Sequence, residues 1–140
     1  MSADFIDSNV FVYLFDETEP SKKTSAEKLL KRCLADRSGV ISFQVVQETL
    51  SVIAQKLKVP VSTADARDFF NDVMAPLWRI MPSPNLYQRA LDVKERYQYA
   101  FFDALILASA LEGGCTRLYS EDLQDGQRIE HLVIENPFKD

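Results

Sequence analysis

An α/β fold, with a central, mostly parallel sheet of four to five strands covered by helices on both faces, is what this sequence predicts. Three observations predict it. Short apolar runs alternate with amphipathic helical patterns, several runs end in a polar or acidic residue that opens the next helix, and no linker, repeat or low-complexity tract interrupts the alternation. The 140 residues fit a single domain, 1–140, able to bury a substantial core.

The first element is the apolar run Asp4-Phe5-Ile6, which ends at Asp7 and turns at once into the apolar helix pattern of Val10 to Phe15. A carboxylate at the C-terminal lip of such a strand sits where α/β sheets open into a ligand crevice. Asp7 is therefore a candidate for chemistry, with Asn9 beside it. The alternative is that Asp7 or Ser8 only caps the helix.

An acidic loop, Asp16-Glu17-Thr18-Glu19-Pro20, follows, and Ser21 is expected to cap a helix reaching about Arg37. Ala26, Leu29, Leu30, Cys33 and Leu34 form its buried stripe, and Lys22, Lys23, Lys28, Lys31 and Arg32 read as its solvated sides. Gly39 closes that region and Val40-Ile41-Ser42 reads as the second strand. Ser42 then caps a helix from Phe43 to about Leu57, which carries Glu48 in its second turn near the same sheet edge as Asp7. The simpler reading of Glu48 is a surface glutamate.

Ser62-Thr63-Ala64-Asp65 has the form of a helix start, and Pro76 is expected to stop that helix. Trp78 to Met81 fits a third strand, and Ser83-Pro84 opens a helix to about Tyr97. From Ala104 to Leu111 the chain is apolar on every side of a helical wheel, which marks a buried helix ended by Gly113-Gly114. Asp103 stands at its N-terminal rim, either as a cap or as a carboxylate aimed into the crevice from a rigid base. Thr116 to Ser120 reads as a fourth strand, with Glu121, Asp122 and Asp125 in the loop behind it, and His131 to Ile134 as a last strand. A polar turn is the simpler account of those three acids.

The totals exclude several function classes. With 46% hydrophobic and 26% charged residues the chain is ordinary globular material, and a net charge of −5 with a pI near 4.9 argues against coating nucleic acid through bulk positive charge. Cys33 and Cys115 form no CxxC pair, so neither a zinc site nor a disulfide framework is expected. One histidine, His131, leaves Ser-His-Asp and Cys-His catalysis poorly supplied. There is no leader-like layout before Asp4 and no apolar run long enough to span a bilayer, so a cytoplasmic protein without membrane contact is expected.

Asp7, Glu48, Asp103 and Asp122 come from separate segments, yet each falls just past a strand or at the start of a helix, places that share one edge of a parallel sheet. Carboxylates gathered there repel one another and stay ionised only beside a cation. An all-oxygen set suits Mg²⁺ or Mn²⁺, which can hold a phosphodiester and activate water without a histidine.

Ile6-Asp7-Ser8-Asn9, Glu48 within Ser42 to Glu48, Phe102-Asp103-Ala104-Leu105-Ile106 and Ser120-Glu121-Asp122-Leu123 resemble, in order, the four acidic motifs of PIN-domain ribonucleases, over essentially the whole chain. The size and order resemble VapC toxins of toxin-antitoxin pairs. The resemblance implies a PIN-like three-layer α/β/α sandwich and a divalent-metal-dependent endoribonuclease, the toxin of a type II system. Its catalytic and metal-binding residues would be Asp7, Glu48, Asp103 and Asp122, with Mg²⁺ or Mn²⁺ as cofactor and RNA as substrate. Asn9 and Ser120 would orient ligands or water, and Asp125 is a further candidate ligand, held through water, that competes with Asp122 for the fourth position. A homodimer and a cognate antitoxin, able to push an arginine towards the acids, are implied as well.

Two other readings stand beside it. A haloacid-dehalogenase-type phosphatase also begins with a strand ending in Asp, but carries a second Asp where Asn9 stands. A non-catalytic PIN-like interaction module would use Phe69, Phe70 and Trp78 as contact residues, side chains that otherwise belong in a core.

Overall fold

The first apolar run becomes the middle of the sheet. In the computed structural model, which describes residues 2–139, β1 (Ala3–Ile6) pairs in parallel with β2 (Gly39–Ser42) on one side and β4 (Cys115–Tyr119) on the other. Beyond β2 lies β3 (Trp78–Ile80), and beyond β4 lies β6 (Leu132–Glu135), both parallel to their neighbours. A two-residue strand, β5 (Arg128–Ile129), pairs antiparallel with β6 and closes the order β3-β2-β1-β4-β6-β5. The sheet thus has six strands rather than four to five. The extra one is too short to show a period in sequence. Strand order reverses between β1 and β4, so a crevice opens beyond their carboxyl ends.

Helices flank the sheet: α1 (Ser8–Val12), α2 (Pro20–Asp36), α3 (Phe43–Gln55), α4 (Thr63–Phe69), α5 (Ala75–Leu77), α6 (Pro84–Tyr97) and α7 (Phe101–Glu112). Three are capped as expected, the hydroxyls of Ser42, Ser62 and Ser83 accepting hydrogen bonds from the backbone N–H groups of Val45, Asp65 and Leu86. Residues Ala104 to Leu111 of α7 are all buried, as their all-round apolarity requires. Phe69 packs edge-on against Phe11 and Phe15, and Phe70 against Trp78, so these aromatics serve the core. Among the described residues no helix is long and apolar enough to cross a membrane.

Four local expectations need correction. Ser21 does not cap α2; Glu19 occupies the N-cap without a side-chain bond, and Pro20 opens the helix, where its missing N–H costs nothing. Gly39 does not end α2, because Arg37 adopts the left-handed conformation that does (φ 54°). Gly39 is instead needed for space, since a Cβ there would lie 2.9 Å from Leu77 Cδ2. Pro76 does not stop its helix: α4 continues through a π-helical turn, Phe70–Met74, into α5, and the proline sits in the first turn of that last piece. Finally, α7 begins at Phe101 with Ala100 at the N-cap, so Asp103 lies in its first turn and does not cap it.

Leu107, with no exposed surface in the middle of α7, tests where the core sits. Leu107→Ala is expected to lower unfolding free energy by about 3 kcal/mol in urea titrations, and Val59→Ala, at a side chain 73% exposed, by less than about 0.5 kcal/mol.

Candidate functional site

Asp7 is carried to the crevice by β1 and fixed there by two kinds of partner. Its backbone N–H donates to the Tyr119 carbonyl at 3.0 Å, which extends the β1–β4 pairing by one step. One carboxylate oxygen, Oδ1, accepts from the Ser8 N–H at 2.7 Å and caps α1, and the other, Oδ2, accepts from the Ser120 hydroxyl at 2.7 Å. Capping and site membership are therefore carried by separate oxygens of one carboxylate.

Ser120, just past β4 and fully buried, gathers the neighbouring groups. Its hydroxyl donates to Asp7 and accepts from Asn9 Nδ2 at 3.3 Å and the Asp122 N–H at 3.2 Å, which uses one hydrogen and two lone pairs. Asn9 answers on both ends of its amide, donating to Asp122 Oδ2 at 3.2 Å and accepting the Glu121 N–H at 3.2 Å. Asp7, Asn9, Ser120 and Asp122 thus form one hydrogen-bonded unit spanning the switch point.

Glu48, in the second turn of α3, and Asp103, in the first turn of α7, complete the acidic edge through charge. Burial pushes the Asp7 carboxyl up to about 6 against the pull of Ser120 and Ser8, with like charge from Asp122 and Asp103 adding to it. Glu48 is raised to about 7, by desolvation, then by Asp7, with Gln44 opposing and Asp103 and Asp122 adding. Glu48 remains exposed to solvent on one side of α3 while its three acidic neighbours add to the shift. Asp103 is raised by desolvation and by Asp122. The charge of Asp122 reaches the other three carboxylates, but the cluster is open. Among the described residues no three acidic, histidine or cysteine side chains are already closed around one point.

Of the crowded acids after β4, only Asp122 faces this unit. Glu121 gives its two oxygens to Tyr13 Oη and Lys22 Nζ, each at 2.7 Å. Asp125 accepts from the Asn136 N–H at 2.7 Å and from Lys139 Nζ at 3.3 Å, and is held below its ordinary pKa by those bonds. Asp125 thus faces the C-terminal segment.

Sequence reasoning passed over Gln44. Buried at the start of α3, it donates to the Phe102 carbonyl at 3.1 Å and so ties the helix of Glu48 to the first turn of α7 that holds Asp103. Its only sequence signal is its spacing, four residues before Glu48 on the same helix face. Depressions flank the acids on either side, one of about 300 Å³ lined in part by Asn9, Tyr13, Glu121 and Asp122, the other of about 100 Å³ lined in part by Gln44, Gln47 and Phe102.

A family model described as PIN domain matches residues 5–128. Among solved structures, a toxin-antitoxin complex from Klebsiella pneumoniae superposes with a TM-score of 0.67 at 21% identity, covering 97% of this chain and 98% of that one. VapC20 of Mycobacterium tuberculosis, described as a sarcin-ricin loop cleaving toxin, gives 0.61 at 18% identity over 86% and 92% of the two chains. VapBC2 of Rickettsia felis, bound to a DNA fragment from its promoter, gives 0.63 at 18% identity over 96% and 98%. At these identities the likeness is one of fold. No curated protein sequence matches the chain.

The raised Asp7 pKa has a consequence for stability. Below pH 3.8 the group is protonated in both folded and unfolded states and contributes nothing; as pH rises towards 6 the unfolded state ionises first, and stability falls. A displacement of that size corresponds to about 3 kcal/mol. Denaturant titrations in chelator from pH 4 to pH 8 are expected to show this loss, and Asp7→Asn to flatten it.

Proposed function

Because the chain belongs to the PIN-domain family, we propose that it is a divalent-metal-dependent endoribonuclease, the toxin of a type II toxin-antitoxin pair acting in the cytoplasm. The observation that carries the reading is the unit built on the Ser120 hydroxyl, which holds a desolvated Asp7 and an outward Asp122 at the sheet's switch point. Glu48 and Asp103 add charge to the same edge. The donor set fits Mg²⁺ or Mn²⁺ on chemical grounds: it is all oxygen, mutually repulsive, and neutralised by a hard cation at modest cost in rearrangement of the half-exposed acids.

A bound divalent cation would supply the positive charge that grips the phosphodiester and activates water. Asp7, Glu48, Asp103 and Asp122 would hold it. Asn9 and Ser120 keep Asp7 and Asp122 in register through hydrogen bonds, so the two carboxylates stay aimed when a charged ligand enters. Hydrolysis would break the bond between phosphorus and the 3′ oxygen, leaving 5′-phosphate and 3′-hydroxyl ends. Asp125, occupied by the C-terminal segment, stands outside this scheme.

Partners follow from surface and charge. Tyr87 and Leu91, one turn apart on α6, are exposed, as is Phe102, which lines one depression with Tyr87, and exposed apolar side chains grouped in this way support a homodimer. Four carboxylates gathered at one edge favour a cationic partner, and an antitoxin that presents an arginine would supply one, its guanidinium pairing with carboxylates in a bidentate manner. The likeness in fold to the toxin-antitoxin complex from Klebsiella pneumoniae supports such a partner.

Cleavage of a structured RNA by the purified chain is expected with Mn²⁺ or Mg²⁺ and none with chelator, and Asp7→Asn or Asp103→Asn should lower the rate at least about 100-fold while the fold persists. Full cleavage by both variants would refute the site. Light scattering is expected to give twice the 16.0 kDa chain mass, and Leu91→Arg to return the monomer.

A further inference from the structure

The acidic loop after β4 carries adjacent carboxylates, Glu121 and Asp122, and both line the depression of about 300 Å³ beside Asn9. Only one of them faces the cluster. Glu121 is turned aside by donors on each of its oxygens, Tyr13 Oη and Lys22 Nζ, and Lys22 Nζ also lies 3.2 Å from Tyr13 Oη. The lysine is far from the rest of its helix's solvated charges in role, since its ammonium sits 4.9 Å from the centre of the Tyr13 ring and 6.0 Å from that of Phe138. Phe138 in turn packs edge-on against Tyr13, 4.9 Å between ring centres.

The other end of the loop is held by the same C-terminal segment. The Phe138 N–H donates to Asn136 Oδ1 at 2.9 Å, and the Asn136 N–H donates to Asp125 at 2.7 Å. Glu121, Lys22, Phe138, Asn136 and Asp125 therefore make a bracket with Asp122 inside it.

We infer that Lys22 and Tyr13 are positioning residues: they withdraw Glu121 from the acidic cleft and, together with the Phe138 hook, leave Asp122 alone to face it. Two forces decide this. The paired, charge-assisted bonds hold the half-buried Glu121 carboxylate against Tyr13 and Lys22, and the lysine offsets a negative charge that would otherwise add to the repulsion among the acids of the cleft. The inference deepens the nuclease reading and rests on it for its catalytic consequence, but its structural part does not.

Lys22→Met keeps the aliphatic stem and removes the charge. Hydrogen exchange at the backbone amides of 121–126, measured without metal or RNA, is expected to quicken about tenfold in this variant. Lys22→Arg should keep the slow exchange. In RNA cleavage, Lys22→Met should lower kcat about tenfold with KM unchanged, and adding Glu121→Gln to it should restore most of the loss, because the stray charge is then gone. Unchanged exchange in Lys22→Met would overturn the bracket. A rise in KM with kcat intact would make Lys22 a phosphate contact and overturn the positioning role. If the parent chain cuts no RNA, the nuclease reading fails on its own and the exchange result still decides the bracket.

Discussion

A single hydroxyl group, that of Ser120, is the joint on which the site depends. It can exist as a joint only because β1 and β4 are parallel neighbours, so that the residues following them emerge side by side. The parallel pairing supplies the proximity, the backbone bond from Asp7 to Tyr119 fixes the register, and the hydroxyl then satisfies an otherwise unfavourable buried carboxylate. Everything farther out, including the amide of Asn9 and the outward turn of Asp122, is set relative to that bond.

The arrangement is costly to the fold in a specific way. A buried carboxylate ringed by other acids is held in place by a sheet and a helix that cannot relax away from it, since Ile6 and Val10 on either side are fully buried. Under the proposed reading, rigid packing here would turn repulsion into affinity for a cation, because the charges that repel in its absence are the charges that would hold it. The buried α7 plays the same part for Asp103. Its residues Ala104 to Leu111 are buried on every side and anchor the turn that carries Asp103.

Much of this was legible in the sequence, and the exceptions have physical causes. The alternation of apolar runs with capped helices gave five of the six strands and the seams between them, because both signals are local. β5 escaped because two residues have no period, and the passage through Pro76 escaped because a π-helical turn relocates the proline to a position that tolerates it. At the candidate site, Asp7, Glu48, Asp103 and Asp122 could be gathered by a topological rule, Asp122 fitting best by position, but the rule alone left Asp125 in competition with it and gave no reason for the choice. That choice rests on Tyr13, Lys22, Asn136 and Lys139, groups up to about a hundred residues distant whose pairing only the folded chain reveals. Gln44 was hidden for a related reason, since its partner is a backbone carbonyl and no residue type announces one.

The two ends of the sheet bear on how copies of this chain meet. β3 has three residues and β5 has two, so neither edge presents a ladder long enough to recruit a strand from another molecule. Lateral growth of the sheet into filaments is thereby blocked at both margins. Contacts between copies are left to side chains on helices and loops, where the geometry of the contacting faces rather than strand pairing decides whether an assembly closes.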